Sequence, residues 1–451
     1  MKKLHYLSLI FFLFTITTIS FSSCTQSRGE GSNLEIKISD EESIAALLPR
    51  KNDKEGKEEY DMLRNKYQES VNTLKEKGFD AKAYIALASI YITECRITGN
   101  ADYYNHAAVQ MLDKVINNPA SDVNSKLESY SLKSAVYLNM HQFEEGRKMA
   151  LEGIKINPVN AGLYGALVDA SVELGQYKEA VAYCDKMLSI RPDLRSYSRA
   201  SYLRQIYGDN QAAIDAMKMA LEAGIPGNEN TEWTRIHLAD LYLYTGKINE
   251  AAALYQQSLS FRPDYPHAEM GLARVDKLNK NYPSAIVHAK KAITQMSEAA
   301  FVSFLGELYE LNGEQDKADK VFSDVIKLLA EAQNKPVVGN ISHNAAREFA
   351  MAYMDAKQYD KALEYAKKDY DIRPDNIDAN DLMAWINYKK GDYKSAKVYS
   401  DKVFTTKIKS ADMLYKASLI NSKAGNSAKA EELKKEALAI SKYIDPKIMV
   451  N

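Results

Sequence analysis

The sequence predicts an all-α fold, an α-solenoid assembled from repeated helix pairs, and three observations carry that prediction. Turn segments of one kind recur along the chain: Leu174-Gly175-Gln176-Tyr177-Lys178-Glu179-Ala180, Thr245-Gly246-Lys247-Ile248-Asn249-Glu250-Ala251 and Lys390-Gly391-Asp392-Tyr393-Lys394-Ser395-Ala396. Each sets a helix-ending glycine, a short turn and then an alanine on the next helix. Downstream of several such turns a proline stands at one fixed distance, in Ile190-Arg191-Pro192, Phe261-Arg262-Pro263 and Ile372-Arg373-Pro374. There it stops the second helix and opens the next pair. Finally, only 11 prolines in 451 residues, with long stretches of Ala, Leu, Lys, Glu and Tyr, favour helices over sheets.

Ahead of the first pair lies a processing signal. Lys2 and Lys3 give a positive start, and Leu7 to Ile19 is an apolar run too short to span a bilayer comfortably. It leads into Phe21-Ser22-Ser23-Cys24, which resembles the lipobox of bacterial lipoproteins, with phenylalanine where leucine is commonest. The resemblance implies a signal peptide over 1–23 and a lipidated Cys24 that becomes N-terminal on cleavage. Several acyl chains there anchor a protein far more firmly than one. Residues 24–56 are rich in Ser, Gly, Glu, Lys and Asn and read as a flexible tether. Thr25, rather than Asp, follows the cysteine. By resemblance to lipoprotein sorting rules this favours the outer membrane, with the body facing the periplasm. In box and composition the chain is similar to bacteroidete envelope lipoproteins.

Beyond the tether, a helix over about 57–77 precedes a degenerate pair from Ala81 to Pro119. Further pairs begin near Leu127, Ala161, Leu194, Glu232, Pro266, Ala299, His343, Ile377 and Ala411. This pattern resembles the tetratricopeptide repeat, a helix-turn-helix unit of about 34 residues. The resemblance covers most of the chain after the tether and implies about nine to ten repeats wound into a right-handed superhelix. Gly175, Gly246, Gly313, Gly391 and Gly425 fit a tight turn that needs a left-handed backbone. Ala180, Ala251, Ala285, Ala318, Ala362, Ala396 and Ala430 fit the point where two helices cross closely. Tyr137, Tyr242, Tyr309 and Tyr353 recur on first helices, where a long aromatic fills the gap to a neighbour. The run Asn334-Lys335-Pro336-Val337-Val338-Gly339-Asn340 reads as a loop. It places a bend at 334–342, between an amino-terminal array over 57–333 and a carboxy-terminal array over 343–451. The last pair ends near Tyr443, with Lys434 and Lys435 outward on a polar helix that stops further stacking.

Bulk composition narrows the function. Lys and Arg number 59 against 60 Asp and Glu, for a net charge of -1, so no global field draws the chain to nucleic acid. A hydrophobic content of 46% with 26% charged residues excludes a disordered chain. The sequence contains no phosphate loop, dinucleotide fingerprint, H-E-x-x-H pair or G-x-S-x-G elbow, so no catalytic residue and no cofactor are expected. His106, His141, His237, His267, His288 and His343 are scattered without metal-ligand spacing on one helix face, and no metal is expected. Cys95 and Cys184 fall in different repeats and read as two buried free thiols. Glu144-Glu145 and Glu431-Glu432 are neighbours that point about 100° apart on a helix, which suits solvated surface and not paired acid-base chemistry.

What remains is the concave face, along which tetratricopeptide arrays bind partners with their first helices. By that resemblance Tyr202, Trp233, Ile236, Asp240, Tyr244 and Met270 line a groove for a protein or peptide. Arg274, Met351, Met354, Trp385, Tyr388 and Tyr415 continue it. The alternative for these side chains is packing between adjacent repeats. The clamp that some tetratricopeptide domains close on a terminal carboxylate is not expected, because Ser131, Ala135, Gly165 and Asp169 stand where it needs Lys, Arg and Asn. The leading expectation is a non-catalytic protein-protein interaction scaffold or adaptor, assisting an envelope complex. The alternative is a glycan-binding outer-membrane lipoprotein working with a transporter. That class needs a large non-repeat segment, and none is visible here.

Overall fold

The computed structural model describes residues 34–40, 42–50, 57–333 and 343–449. The signal peptide, Cys24 and the bend at 334–342 lie outside them. After α1 (Lys57–Lys77) the described residues form ten helix pairs, each packed against the next. The first five are α2 (Ala81–Thr98) with α3 (Ala101–Asn117), α4 (Val123–Asn139) with α5 (Phe143–Ile156), α6 (Ala161–Glu173) with α7 (Tyr177–Ile190), α8 (Leu194–Ile206) with α9 (Asn210–Glu222), and α10 (Glu229–Tyr244) with α11 (Ile248–Phe261). The next five are α12 (Pro266–Leu278) with α13 (Tyr282–Gln295), α14 (Ala299–Leu311) with α15 (Gln315–Gln333), α16 (Ala346–Asp355) with α17 (Tyr359–Ile372), α18 (Ile377–Lys389) with α19 (Tyr393–Val403), and α20 (Ala411–Lys423) with α21 (Ser427–Ile440). A short α22 (Pro446–Met449) closes the described chain. No described helix is long and apolar enough to cross a membrane.

Local chemistry explains these boundaries. Asp122 accepts hydrogen bonds from the backbone N–H groups of Asn124 and Ser125, so α4 opens at Val123 rather than near Leu127. Asp193 and Ser196 form a reciprocal capping box at the start of α8. Pro192, Pro263 and Pro374 follow the ends of α7, α11 and α17. Inside each pair the chain turns through one left-handed residue, as at Gly175 (φ 77°) and Gly246 (φ 77°). Where glycine is missing, His141, Lys280 and Lys357 take the same conformation. The crossing alanines from Ala180 to Ala430 are all buried. Cys95 and Cys184 are buried free thiols, and burial raises their pKa to about 12 and about 11.

The expected tether over 24–56 is overturned for residues 34–40 and 42–50. They form a hairpin of β1 (Glu35–Lys37) and β2 (Ser43–Ala45), antiparallel with Ile36 opposite Ile44. Ile38 and Ile44 enter the core of the first repeats. Hydroxyls from the helices then take up its backbone: Tyr67 and Tyr91 donate to the Ala45 carbonyl at 2.8 and 2.6 Å, and Tyr103 donates to that of Ala46 at 2.8 Å. Arg50 meets the buried Glu94 at 2.5 Å. A polar composition concealed a few isoleucines at strand spacing, enough to dock one short hairpin.

The winding of the array brings distant residues together. At Met140 the carbonyl accepts from the backbone N–H of Asn344 at 3.0 Å. Tyr177 Oη accepts from the backbone N–H of Ile377 at 2.8 Å, and Asn210 donates to the Lys409 carbonyl at 3.0 Å. Gly246 lies against Ser441. Each contact spans roughly 200 residues, or about six repeats of 34. Six pairs thus complete one lap, and the turns within pairs of the first lap seat the connections between pairs of the second.

Candidate partner-binding face and the seam that encloses it

The concave wall is built from the first helix of each pair, and neighbouring first helices are tied across it by ion pairs. Arg199 forks onto Asp169 with contacts of 2.8 and 2.5 Å. Arg274 reaches Asp240 at 3.1 Å, and the Tyr255 hydroxyl donates to the same carboxylate oxygen. Further along, Lys277 pairs with Glu307, and Lys416 with Asp381 at 2.8 Å. Desolvation works against the charge on Arg199 and Arg274, but the Asp169 and Asp240 carboxylates outweigh it and hold both guanidinium pKa values above the ordinary range. The ladder is therefore charged yet locally neutral, which spaces the helices without creating a polyanion or polycation site.

Set among these pairs are the side chains left for a partner. Tyr202 is 43% exposed, Met351 43% and Trp233 39%, large values for apolar residues on the inside of a coil. Trp233 rests edge-on to His237, with ring centroids 3.7 Å apart. Burial lowers the pKa of His237, with Asp240 opposing, and burial takes His267 down to about 4. Both imidazoles are neutral near pH 7. The Tyr202 hydroxyl is pushed well above its usual range by burial, even though much of its ring meets solvent. Asp378 and Arg347, from the second lap, both act on that hydroxyl.

The structure divides the expected groove residues. Tyr202, Trp233 and Met351 are exposed, and Asp240, Tyr244, Arg274, Met354 and Tyr415 are half-buried. Ile236, Met270, Trp385 and Tyr388 are corrections, because all four are buried in repeat cores. Trp385 stacks on Tyr388 at 4.9 Å, with Lys389 and Lys416 over its ring, so this tryptophan packs between repeats. A first helix touches its own partner helix and both neighbouring pairs, so only a narrow stripe of it stays open. Unrecognised from sequence were Arg199 and His237 on that stripe, and the seam itself.

At the centre of the seam, Arg373 is 1% exposed and forks onto Asp369 with two contacts of 2.8 Å. It also reaches Glu173 of the first lap at 2.5 Å, and its guanidinium lies over the Phe143 ring. Asn376 adds hydrogen bonds to the carbonyls of Val172 and Glu173. The motif Ile372-Arg373-Pro374 thus ends a helix and also clamps two laps. In Ile190-Arg191-Pro192 the arginine is exposed and pairs with the nearby Asp193.

Comparison with known proteins agrees with this architecture. The tetratricopeptide repeat family profile matches residues 161–194 and 234–265, which are α6 with α7 and most of α10 with α11. Small glutamine-rich tetratricopeptide repeat-containing protein 2 of Saccharomyces cerevisiae is 31% identical over 120 residues, 26% of this chain and 34% of that protein. Mitochondrial import receptor subunit TOM70 of Homo sapiens is 23% identical over 278 residues, 60% of this chain and 44% of that protein. This chain spans less than half the length of either relative. Among solved structures, a human IFIT1 dimer aligns over 84% of this chain and 87% of that one, at 16% identity and a TM-score of 0.44. From its own helix pairing and the matched profile, the chain is an α-solenoid that carries tetratricopeptide repeats.

Proposed function

We propose that the chain is a non-catalytic protein-interaction scaffold, held at the outer membrane through a lipidated Cys24 with its body in the periplasm, where it assists an envelope complex. The observation that carries the reading is the concave stripe on which Tyr202, Trp233 and Met351 stand open between self-neutralised ion pairs. Exposed aromatic and thioether side chains beside polar groups are the composition of a protein contact surface. Relatives named as an import receptor subunit and as a tetratricopeptide repeat-containing protein support an interaction role. The anchor rests on Phe21-Ser22-Ser23-Cys24.

The test is crosslinking capture from native envelopes with the wild type, Trp233→Ala and Cys24→Ser. The expected result is a defined envelope protein captured by wild type and lost from a folded Trp233→Ala, with Cys24→Ser released into the soluble fraction. Equal capture by wild type and Trp233→Ala would remove the concave stripe from the reading. Capture of no protein by either would turn the reading to a glycan ligand, and a membrane-bound Cys24→Ser would remove the anchor.

A further inference from the structure

We propose that His141, His343 and Glu348 form a binding site for a divalent first-row transition-metal ion, with Zn2+ as the type, at the junction of the two laps. His141 stands in the turn between α4 and α5, and Glu348 in the first turn of α16. His141 Nδ1 lies 3.2 Å from Glu348 Oε1, and His343 Nε2 lies 3.3 Å from the same oxygen. All three ligand atoms fall within 4.8 Å of one another. Ligands held tetrahedrally at about 2.0–2.1 Å from zinc stand roughly 3.3–3.4 Å apart. Both histidine-carboxylate edges therefore already have the required length, and only the edge between the two imidazoles has to close.

Three further observations point to a ligand. The second carboxylate oxygen, Glu348 Oε2, is buried with no hydrogen-bond partner among the described residues. Two imidazoles converge on the first oxygen, their rings only 4.8 Å apart, and one ion would join all three side chains once His141 Nδ1 gives up its 3.3 Å contact with the Asn344 carbonyl. The frame is also fixed: the Asn344 N–H donates to the Met140 carbonyl at 3.0 Å, beside both histidines. The three side chains are partly open, so an ion can enter and a water can complete the shell. Arg347, a cationic group whose charge acts on His141, lies 4.0 Å from Asp378. Two imidazoles and a carboxylate suit Zn2+, Co2+ or Ni2+ rather than Mg2+ or Ca2+. Because His141 comes from the first lap and the other two from the second, the ion staples the laps at their junction.

The experiment is Zn2+ titration of the untagged full chain against a chromophoric chelator, with Co2+ absorption recorded in parallel. The expected result is one Zn2+ per chain at micromolar or tighter affinity, weakened about tenfold or more in His141→Ala and in Glu348→Gln. Helical circular dichroism of each variant shows that it is folded. The Co2+ bands are expected to be those of nitrogen and oxygen ligands. The proposal is overturned by folded variants that bind as the wild type does, by thiolate-to-Co2+ charge-transfer bands, or by a wild type that retains no Zn2+ at micromolar concentration.

Discussion

Turns of the first lap and turns of later pairs share one backbone and differ in what lies beyond them. Gly175, Gly208 and Gly246 have φ of 77°, 78° and 77°, while Gly313, Gly391 and Gly425 have 79°, 82° and 85°. A Cβ on Gly175 would sit 2.5 Å from the Asp375 carbonyl carbon, one on Gly208 would sit 2.3 Å from the Lys407 oxygen, and one on Gly246 would sit 3.0 Å from Ser441 Oγ. On Gly313, Gly391 or Gly425 it would meet nothing within 4 Å. Glycine is present in the second group for backbone handedness alone. In the first group it also leaves room for another lap.

The sharpest way to break this comparison is to remove the clamp at the seam. Replacing Arg373 with methionine strands the buried Asp369 and the half-buried Glu173 without their cation. Loss of one partner of a buried pair costs about 3–5 kcal/mol. Urea denaturation should show a loss of that size, with the surviving native state enlarged in small-angle scattering. An unchanged midpoint would mean that the laps touch without holding. Gly208→Ala comes next. The left-handed backbone costs an alanine about 1–2 kcal/mol, and overpacking against the Lys407 carbonyl adds about 1–3 kcal/mol. Gly425→Ala has the smallest expected effect, the backbone cost of about 1–2 kcal/mol alone. Equal losses for Gly208→Ala and Gly425→Ala, measured side by side, would show that the approach of the laps contributes nothing.

Much of the array was legible because each helix pair records its own boundaries. The starts at Ala161, Leu194, Pro266, Ala299, Ile377 and Ala411 coincide with observed helix starts, since glycine turns, caps and prolines act within a few residues. What was not legible depends on winding. Nothing near His141 announces that His343 and Glu348 lie against it, because only the pitch of the coil brings them together. The groove assignment failed at Ile236, Met270, Trp385 and Tyr388 for a related reason. Helical periodicity tells which residues share a face, whereas the width of the open stripe depends on how closely adjacent pairs and laps approach. The hairpin at 35–45 escaped notice because two strands of three residues carry too short a period to stand out from a polar segment.

Solenoids are commonly compared to springs, since each repeat contacts chiefly its neighbours and small rotations add along the axis. The seam makes this one a spring whose coils already touch. It resists shortening by close backbone approach, as at Gly208 and Lys407, while lengthening has to break the Arg373–Glu173 pair and the hydrogen bonds beside it. The coil therefore has a mechanical stop on one side and a latch on the other.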